Sequence, residues 1–247
     1  MTAEPATKKR GRPAKTEVVA TDEQLANATC TDPLAEAGLS DALHRINLMT
    51  YGEPGGWLHQ VFDVLNNRCF GDRLPSTPMH FALTPHGACL GLTHTARDSQ
   101  ASVITINPAT LNPGAWKLGD VAGWRHAATT LLHEMLHVAQ HRLFADLPNP
   151  GETSHNQDIW CREANRISLL IDLPPICTRF VMRRSGKQTK RMPLQPCEFP
   201  NLTPLAVGTW PHGIASAAGV SIPEWQDRVC HKLGVPEPTG KLVRCRV

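Results

Sequence analysis

Long apolar runs are missing from this sequence of 247 residues. No stretch approaches the roughly eighteen apolar residues that cross a bilayer, and the polar, basic start lacks the apolar segment of a secretory signal peptide. We therefore expect a protein that is neither membrane-bound nor secreted, located in the cytoplasm with the nucleoid, or in the nucleus if the source is eukaryotic. In such a compartment the eight cysteines are expected to be reduced.

Paired cysteines of the C-x-x-C type are also absent. This excludes a zinc ribbon with that spacing, which Cys177, Cys197, Cys230 and Cys245 do not reproduce. We expect these thiols to be ordinary packing or surface residues. A large excess of charge is missing too, since the net charge is +3, so the positions of the cations are more informative than their sum.

One motif with catalytic chemistry stands out, because residues 133–137 read H-E-x-x-H, which is typical of zinc hydrolases. Residues four apart on an α-helix lie about 40° apart in rotation and about 6 Å apart along the axis, so the imidazoles of His133 and His137 can bind one ion. Zn²⁺ lowers the pKa of a bound water to roughly 7, and the neighbouring Glu134 can take the water's proton and pass it to the leaving amine. The motif therefore predicts both the metal, Zn²⁺, and its base.

The surroundings of the motif favour a metal site over a chance match. The stretch 130–143 has the apolar spacing of one helical stripe, formed by Leu132, Met135, Leu136, Ala139 and Leu143. Helical geometry places His133 and His137 together at one edge of that stripe. The sequence therefore predicts a half-buried metal site at the wall of a core.

A catalytic zinc takes three protein ligands and keeps an open position, so a third donor is expected after the helix. His155 is preferred, because it follows a Pro- and Gly-containing loop at 146–153 and begins a second helical pattern, where its ring is free. Glu163 stays open as the alternative, in the arrangement of thermolysin-like sites. His141 is disfavoured because three ligands spaced by four on one straight helix drift away from a single ion. The metzincin pattern is excluded, since residues 138–141 contain no Gly where it needs one.

Three further segments resemble the SprT-like zinc metalloprotease family, and the resemblance covers about residues 57–173. Residues 65–75 (L-N-N-R-C-F-G-D-R-L-P) look like the family's opening helix and its exit. Residues 104–108 (I-T-I-N-P) are similar to the strand before the zinc helix, and 155–166 (H-N-Q-D-I-W-C-R-E-A-N-R) to the segment that begins with the third ligand. Asn156 departs from the family, which usually has Gly there, but Asn tolerates positive φ next best, so the turn can persist.

The resemblance implies that His133, His137 and His155 bind zinc and that Glu134 is the catalytic acid and base. It also implies a zinc metalloendopeptidase that acts on protein substrates, including proteins crosslinked to DNA. Asp158 can orient the His155 ring, or it can be a first-turn acid that the helix dipole stabilises. We favour the second role for Asp158.

A second informative segment lies near the start, where residues 8–15 (K-K-R-G-R-P-A-K) match the AT-hook, a minor-groove-binding peptide. Gly11 permits close approach to the groove floor, and Pro13 keeps the strand extended. Arg10 and Arg12 then point into the narrow groove of A·T-rich DNA. The remaining cations are expected to meet phosphates or the groove, and these are Lys8, Lys9 and Lys15. The alternative interpretation is a disordered basic tail or a targeting signal.

The composition of residues 1–40 predicts a disordered arm around the hook. A protease domain is expected at 41–175, followed by an accessory segment of unknown role at 176–247. Within that segment, a basic cluster at 179–191 either continues a nucleic-acid surface or is a solvated loop.

The periodicities predict an α+β, zincin-like domain in which the H-E-x-x-H helix lies beside a short three-stranded sheet. Helices are expected at 41–49 and 57–70, then strands at 79–83, 88–93 and 102–106. After the zinc helix, a further helix begins near His155 and ends before Pro174, and 222–233 forms an amphipathic helix. An edge strand of such a sheet can bind an extended substrate chain by backbone pairing.

Two functions from different classes are compatible with these patterns. The first is a zinc metallopeptidase that the AT-hook recruits to DNA, where it hydrolyses DNA-associated or DNA-crosslinked proteins. The second is a DNA-binding accessory protein, of a mobile element or of chromatin, whose zinc site is structural. The intact Glu134 favours the first, because a structural site has no use for a base.

Overall fold

A computed structural model describes residues 33–84, 89–96, 101–112, 123–143, 158–174, 182–185, 188–191, 210–212 and 220–239. Within these ranges the protein has an α+β architecture, with five α-helices and a small mixed sheet. None of the helices described is long and apolar enough to cross a membrane.

The helices are α1 (Pro33–Tyr51), α2 (Glu53–Leu65), α3 (Trp124–Arg142), α4 (Asp158–Leu170) and α5 (Ile222–Leu233). Helix α5 has the bounds that its periodicity predicts. Helices α1 and α3 begin earlier than predicted, at 33 instead of 41 and at 124 instead of 130. The prediction for 57–70 is correct in position, but its last five residues, Asn66–Phe70, form a π-helical turn that ends at Gly71 with a φ of 61°.

Three strands form the sheet, β1 (Met79–Phe81), β2 (Gly91–Thr95) and β3 (Ser102–Ile106), in the order β1-β3-β2. Strand β3 is parallel to β1 and antiparallel to β2, which makes the sheet mixed. The prediction of three strands here is confirmed, although β2 lies slightly later in the chain than predicted. A separate antiparallel hairpin pairs β4 (Met182–Ser185) with β5 (Gln188–Arg191).

One hydrophobic core joins the sheet to the helices. The part of it that comes from the C-terminal segment consists of Trp210, Trp225, Val229, Cys230 and Leu233. The indole Nε1 of Trp57, on α2, donates to the carbonyl of Pro236 at 2.8 Å. The described residues at 210–212 and 220–239 therefore pack together with the helices that precede them.

Helix α3 lies at the centre of this core. Every residue from His126 to Gln140 is buried, and so is Leu143, the last member of the predicted apolar stripe. The sheet, α2, α4 and α5 all contact α3, so the helix is enclosed instead of presenting one face to water. The motif residues are consequently more deeply buried than the half-buried site that the stripe predicts.

Candidate metal centre

The two histidines of the motif lie side by side on α3. Their ring centroids are 5.4 Å apart, with ring planes inclined by 66°. His133 is 7% exposed and His137 is 8% exposed. The helical spacing of four residues therefore brings both imidazoles together inside the protein.

The protonation of His133 follows from its neighbour. Its Nδ1 is 2.6 Å from the carbonyl oxygen of Trp210. A carbonyl only accepts hydrogen bonds, so Nδ1 carries the proton and Nε2 keeps its lone pair. Ligating histidines usually donate their other ring N–H to a carbonyl or carboxylate in this way. The environment of His133 therefore fits a metal ligand.

Two tryptophans frame the histidine pair. Trp160 of α4 is completely buried, and its ring lies 5.2 Å from that of His133 and 5.8 Å from that of His137. Trp210 packs edge-on against Trp160 at 6.0 Å and donates from Nε1 to the hydroxyl of Ser168 at 2.8 Å. Because both rings are fixed by packing, the Trp210 carbonyl is held within hydrogen-bonding distance of Nδ1 of His133. Sequence reasoning missed this frame, since Trp210 stands in a segment without a recognisable pattern.

The carboxyl group of Glu134 is enclosed between α3 and strand β2. Glu134 is 5% exposed, and its Oε2 accepts a hydrogen bond of 2.8 Å from the hydroxyl of Thr93. Burial raises the pKa of Glu134 to about 7, although its hydrogen bonds with Thr93 oppose part of the rise. A carboxyl with a pKa near neutrality can both take and return a proton around pH 7.

Glu163, the alternative third ligand, already has a partner. It is buried on α4, and its Oε2 lies 3.1 Å from Nε and 2.9 Å from Nη2 of Arg166. The same Nη2 also donates to the carbonyl of Cys69. Because this ion pair satisfies the carboxylate, the geometry gives no support to a thermolysin-like arrangement.

Several predicted site residues lie outside the described residues. His155, the preferred third ligand, is one of them, and only the backbone of Asp158 is described. The AT-hook is another, with Lys8, Lys9, Arg10, Gly11, Arg12, Pro13 and Lys15. Within the described ranges, no group of three or more His, Cys, Asp or Glu side chains is placed to hold a metal ion. A zinc site of the predicted kind would therefore take its third donor from outside these ranges.

Two further histidines lie beside His133. The ring of His212 is 5.0 Å from that of His126 and 6.2 Å from that of His133, while Gln226 contacts Nδ1 of His126 at 2.7 Å. Burial lowers the pKa of His126 to about 4 and that of His212 well below its usual range, where His126 and His133 also contribute. Both rings are therefore neutral near pH 7. The seven-residue spacing of His126 and His133 indicates a shared helix face, but the sequence gives no signal for His212.

No protein-family model, curated protein or solved structure matches this chain. The geometry of the centre and the sequence motifs are therefore the basis for assigning a function.

We predict that Glu134→Gln stabilises the metal-free protein more at pH 8 than at pH 5. The pKa of Glu134 rises from 4.5 to about 7 on burial, so between these values the folded state binds more protons than the unfolded state. Stability is therefore lost as the pH rises through this window. Glutamine keeps the shape without the charge and should add about 3 kcal/mol at most at pH 8.

Urea unfolding of both metal-free proteins at the two pH values measures this difference. An equal effect of the substitution at pH 5 and pH 8 would show that Glu134 ionises in the folded state without a penalty, against the raised pKa.

Proposed function

We propose that this chain is a zinc-dependent metallopeptidase, similar to the SprT-like proteases, which is recruited to DNA and hydrolyses peptide bonds of DNA-associated or DNA-crosslinked proteins. The observation that carries the proposal is a buried carboxyl group, held by the Thr93 hydroxyl, next in sequence to one of two histidines that meet inside the protein. A structural metal site has no use for such a carboxyl, whose burial costs stability. The metal-binding helix beside a small sheet also suits a zincin-like plan.

In this proposal zinc is held by His133, His137 and His155. His133 supplies Nε2, because its Nδ1 donates to the Trp210 carbonyl. When bound, zinc supplies Lewis-acid chemistry, activating a water and polarising the carbonyl of the peptide bond. The buried rings of Trp160 and Trp210 beside the histidine pair provide a site from which water is largely excluded.

Glu134 acts as general base and then as general acid. The Thr93 hydroxyl binds Oε2 and holds the carboxyl group in place, so that the group can take a proton from water. The protonated carboxyl then returns that proton to the leaving amine. A pKa close to the working pH makes both transfers feasible for one group.

The substrate chain has a docking edge on β2. The carbonyl of Leu90 accepts from the amide of Asn107 at 2.8 Å, and the amide of Ala96 donates to the carbonyl of Ala101 at 2.9 Å. The even-numbered residues of β2 therefore bond to β3, and the backbone groups of Gly91, Thr93 and Thr95 are directed away from it. An extended peptide can pair with backbone groups along this strand, except for the Thr93 amide, which hydrogen-bonds to Glu134.

Recruitment to DNA rests on the sequence of residues 8–15. Their Arg-Gly-Arg-Pro centre suits the minor groove of A·T-rich DNA. A tether of this kind raises the local concentration of DNA-bound proteins near the catalytic centre. A protease that selects its substrates by their location on DNA needs little specificity for their side chains.

We predict that the zinc-loaded protein cleaves a DNA-bound protein and that Glu134→Gln lowers the rate by at least about 100-fold while zinc is retained. A matched control is Glu224→Gln, which removes a carboxylate that is 49% exposed on α5 and should leave the rate unchanged. Adding A·T-rich duplex should accelerate wild-type cleavage, and Arg10→Ala with Arg12→Ala should abolish the acceleration. Cleavage products are resolved by gel electrophoresis and mass spectrometry.

Equal rates for wild type and Glu134→Gln would remove Glu134 from the mechanism. Absence of cleavage by the wild type on DNA would favour the other class of function, a DNA-binding protein with a structural zinc site.

For the ligand set, we predict that His155→Ala weakens zinc binding by more than the roughly 10- to 100-fold that loss of an outer-shell partner costs. Glu163→Gln should change zinc binding little, because Glu163 is bound by Arg166. The zinc that each variant retains in competition with a chelator measures both effects. The opposite ranking would place Glu163 among the ligands.

A further inference from the structure

The Glu134 side chain is fitted into a space that one residue of β2 leaves open. A Cβ atom built on Gly91 would lie 2.6 Å from Oε1, 2.7 Å from Cγ and 2.9 Å from Cδ of Glu134. Carbon atoms do not approach side-chain atoms this closely, so any larger residue at position 91 displaces the carboxyl group.

The backbone gives no other reason for glycine at this position. The glycines with positive φ among the described residues are Gly52, Gly71, Gly123 and Gly234, and Gly91 is not one of them. Alanine could therefore adopt the Gly91 backbone conformation without strain. The restriction at Gly91 comes from the Glu134 side chain.

Two residues further along β2, Thr93 contacts the second oxygen of the Glu134 carboxyl group. Its Oγ1 is 2.8 Å from Oε2 of Glu134 and 3.0 Å from the Glu134 main-chain carbonyl. One hydroxyl thus ties both the carboxyl group and the helix backbone of the same residue to the strand. A glutamate side chain has several rotatable bonds, and these contacts select one of its conformers.

We propose that Gly91 and Thr93 are positioning residues for Glu134, one by leaving space for the carboxyl group and the other by binding Oε2. We call Gly91 and Thr93 together the Glu134 clamp. Its contacts are those described above, whereas its catalytic role rests on the proposed function. In that function the positioned carboxyl group is the base that takes the water's proton. Because outward backbone groups of the same strand, including those of Gly91, also form the proposed docking edge, one strand sets the distance between substrate backbone and base.

The first test measures the stability of the metal-free full-length chain and needs no activity. Gly91→Ala is compared in the wild type and in a Glu134→Ala background, where Cγ, Cδ and both oxygens are gone. We expect the substitution to raise the unfolding equilibrium constant by at least about 10-fold in the wild type and by less than about 3-fold in the Glu134→Ala background. Equal losses in both backgrounds would overturn the role of Gly91.

The second test covers the case in which Gly91→Ala does not fold. Thr93→Val removes the hydroxyl while keeping the shape of the side chain, and Thr93→Ser keeps the hydroxyl. A double-mutant cycle of Thr93→Val with Glu134→Ala should show a coupling of about 3- to 10-fold in the unfolding equilibrium constant. Thr95→Val is the matched control, since the Thr95 hydroxyl contacts Ser102 instead, at 3.1 Å; it should not couple to Glu134→Ala. Additive effects of Thr93→Val and Glu134→Ala would overturn the role of Thr93.

Where cleavage is observed, a positioning role predicts a specific kinetic pattern. Thr93→Val should lower kcat by about 10- to 100-fold, with KM and zinc content nearly unchanged, and Thr93→Ser should restore most of kcat. If the stability cycle shows coupling but Thr93→Val leaves kcat unchanged, the clamp is a structural contact only. That result would overturn the catalytic part of the inference. A wild type that cleaves nothing would refute the proposed function alone, because the stability cycles would still decide whether the clamp exists.

Discussion

Helix α3 is packed against the sheet, α2, α4 and α5 at once, so each polar group on it needs a partner inside the protein. His133 bonds to the carbonyl of Trp210, and Glu134 to the hydroxyl of Thr93. These partners come from strand β2 and from a segment near the C-terminus, far from α3 in sequence. The enclosure of α3 and the assembly of the centre therefore depend on contacts from the same distant segments. Residues 210–212 are structurally part of the centre, because without Trp210 the Nδ1 proton of His133 would lose its acceptor.

The same enclosure lowers the stability of the metal-free protein and gives Glu134 a pKa that suits proton transfer. An enclosed carboxyl favours its neutral form, which raises the pKa of Glu134 to about 7 and makes its ionised form unfavourable in the metal-free protein. A nearby cation would offset this penalty, which suits the proposed metal site. Strand β2 contributes in two ways, since Thr93 binds Glu134 and the backbone groups of Gly91 and Thr95 are directed away from β3. In the proposed peptidase, the distance between base and substrate is then set by a single rigid element.

Local sequence signals predicted some of these features well. Helix α5 has the predicted bounds because Ser221 caps its start, a proline lies in its first turn, and Gly234 ends it at a φ of 69°. The start of α1 was missed because the residues before 41 show no apolar period. The motif histidines and Glu134 were recognisable because their spacing on one helix places them together. The contacts from Trp210 and Thr93 join distant segments, and no local pattern encodes them. Gly91 did leave a signal, since an isolated glycine within a strand often marks a close approach of another group.

The central claim is that the buried histidine pair on α3 is a zinc site with one open position. X-ray absorption at the zinc edge, on the full-length chain titrated with zinc and dialysed, tests this most directly. The account predicts one tightly held zinc per chain with imidazole nitrogens at about 2.0–2.1 Å, lost when both motif histidines are replaced by alanine. Zinc that is held mainly by sulfur at about 2.3 Å, or that is retained by the double alanine variant, would contradict it.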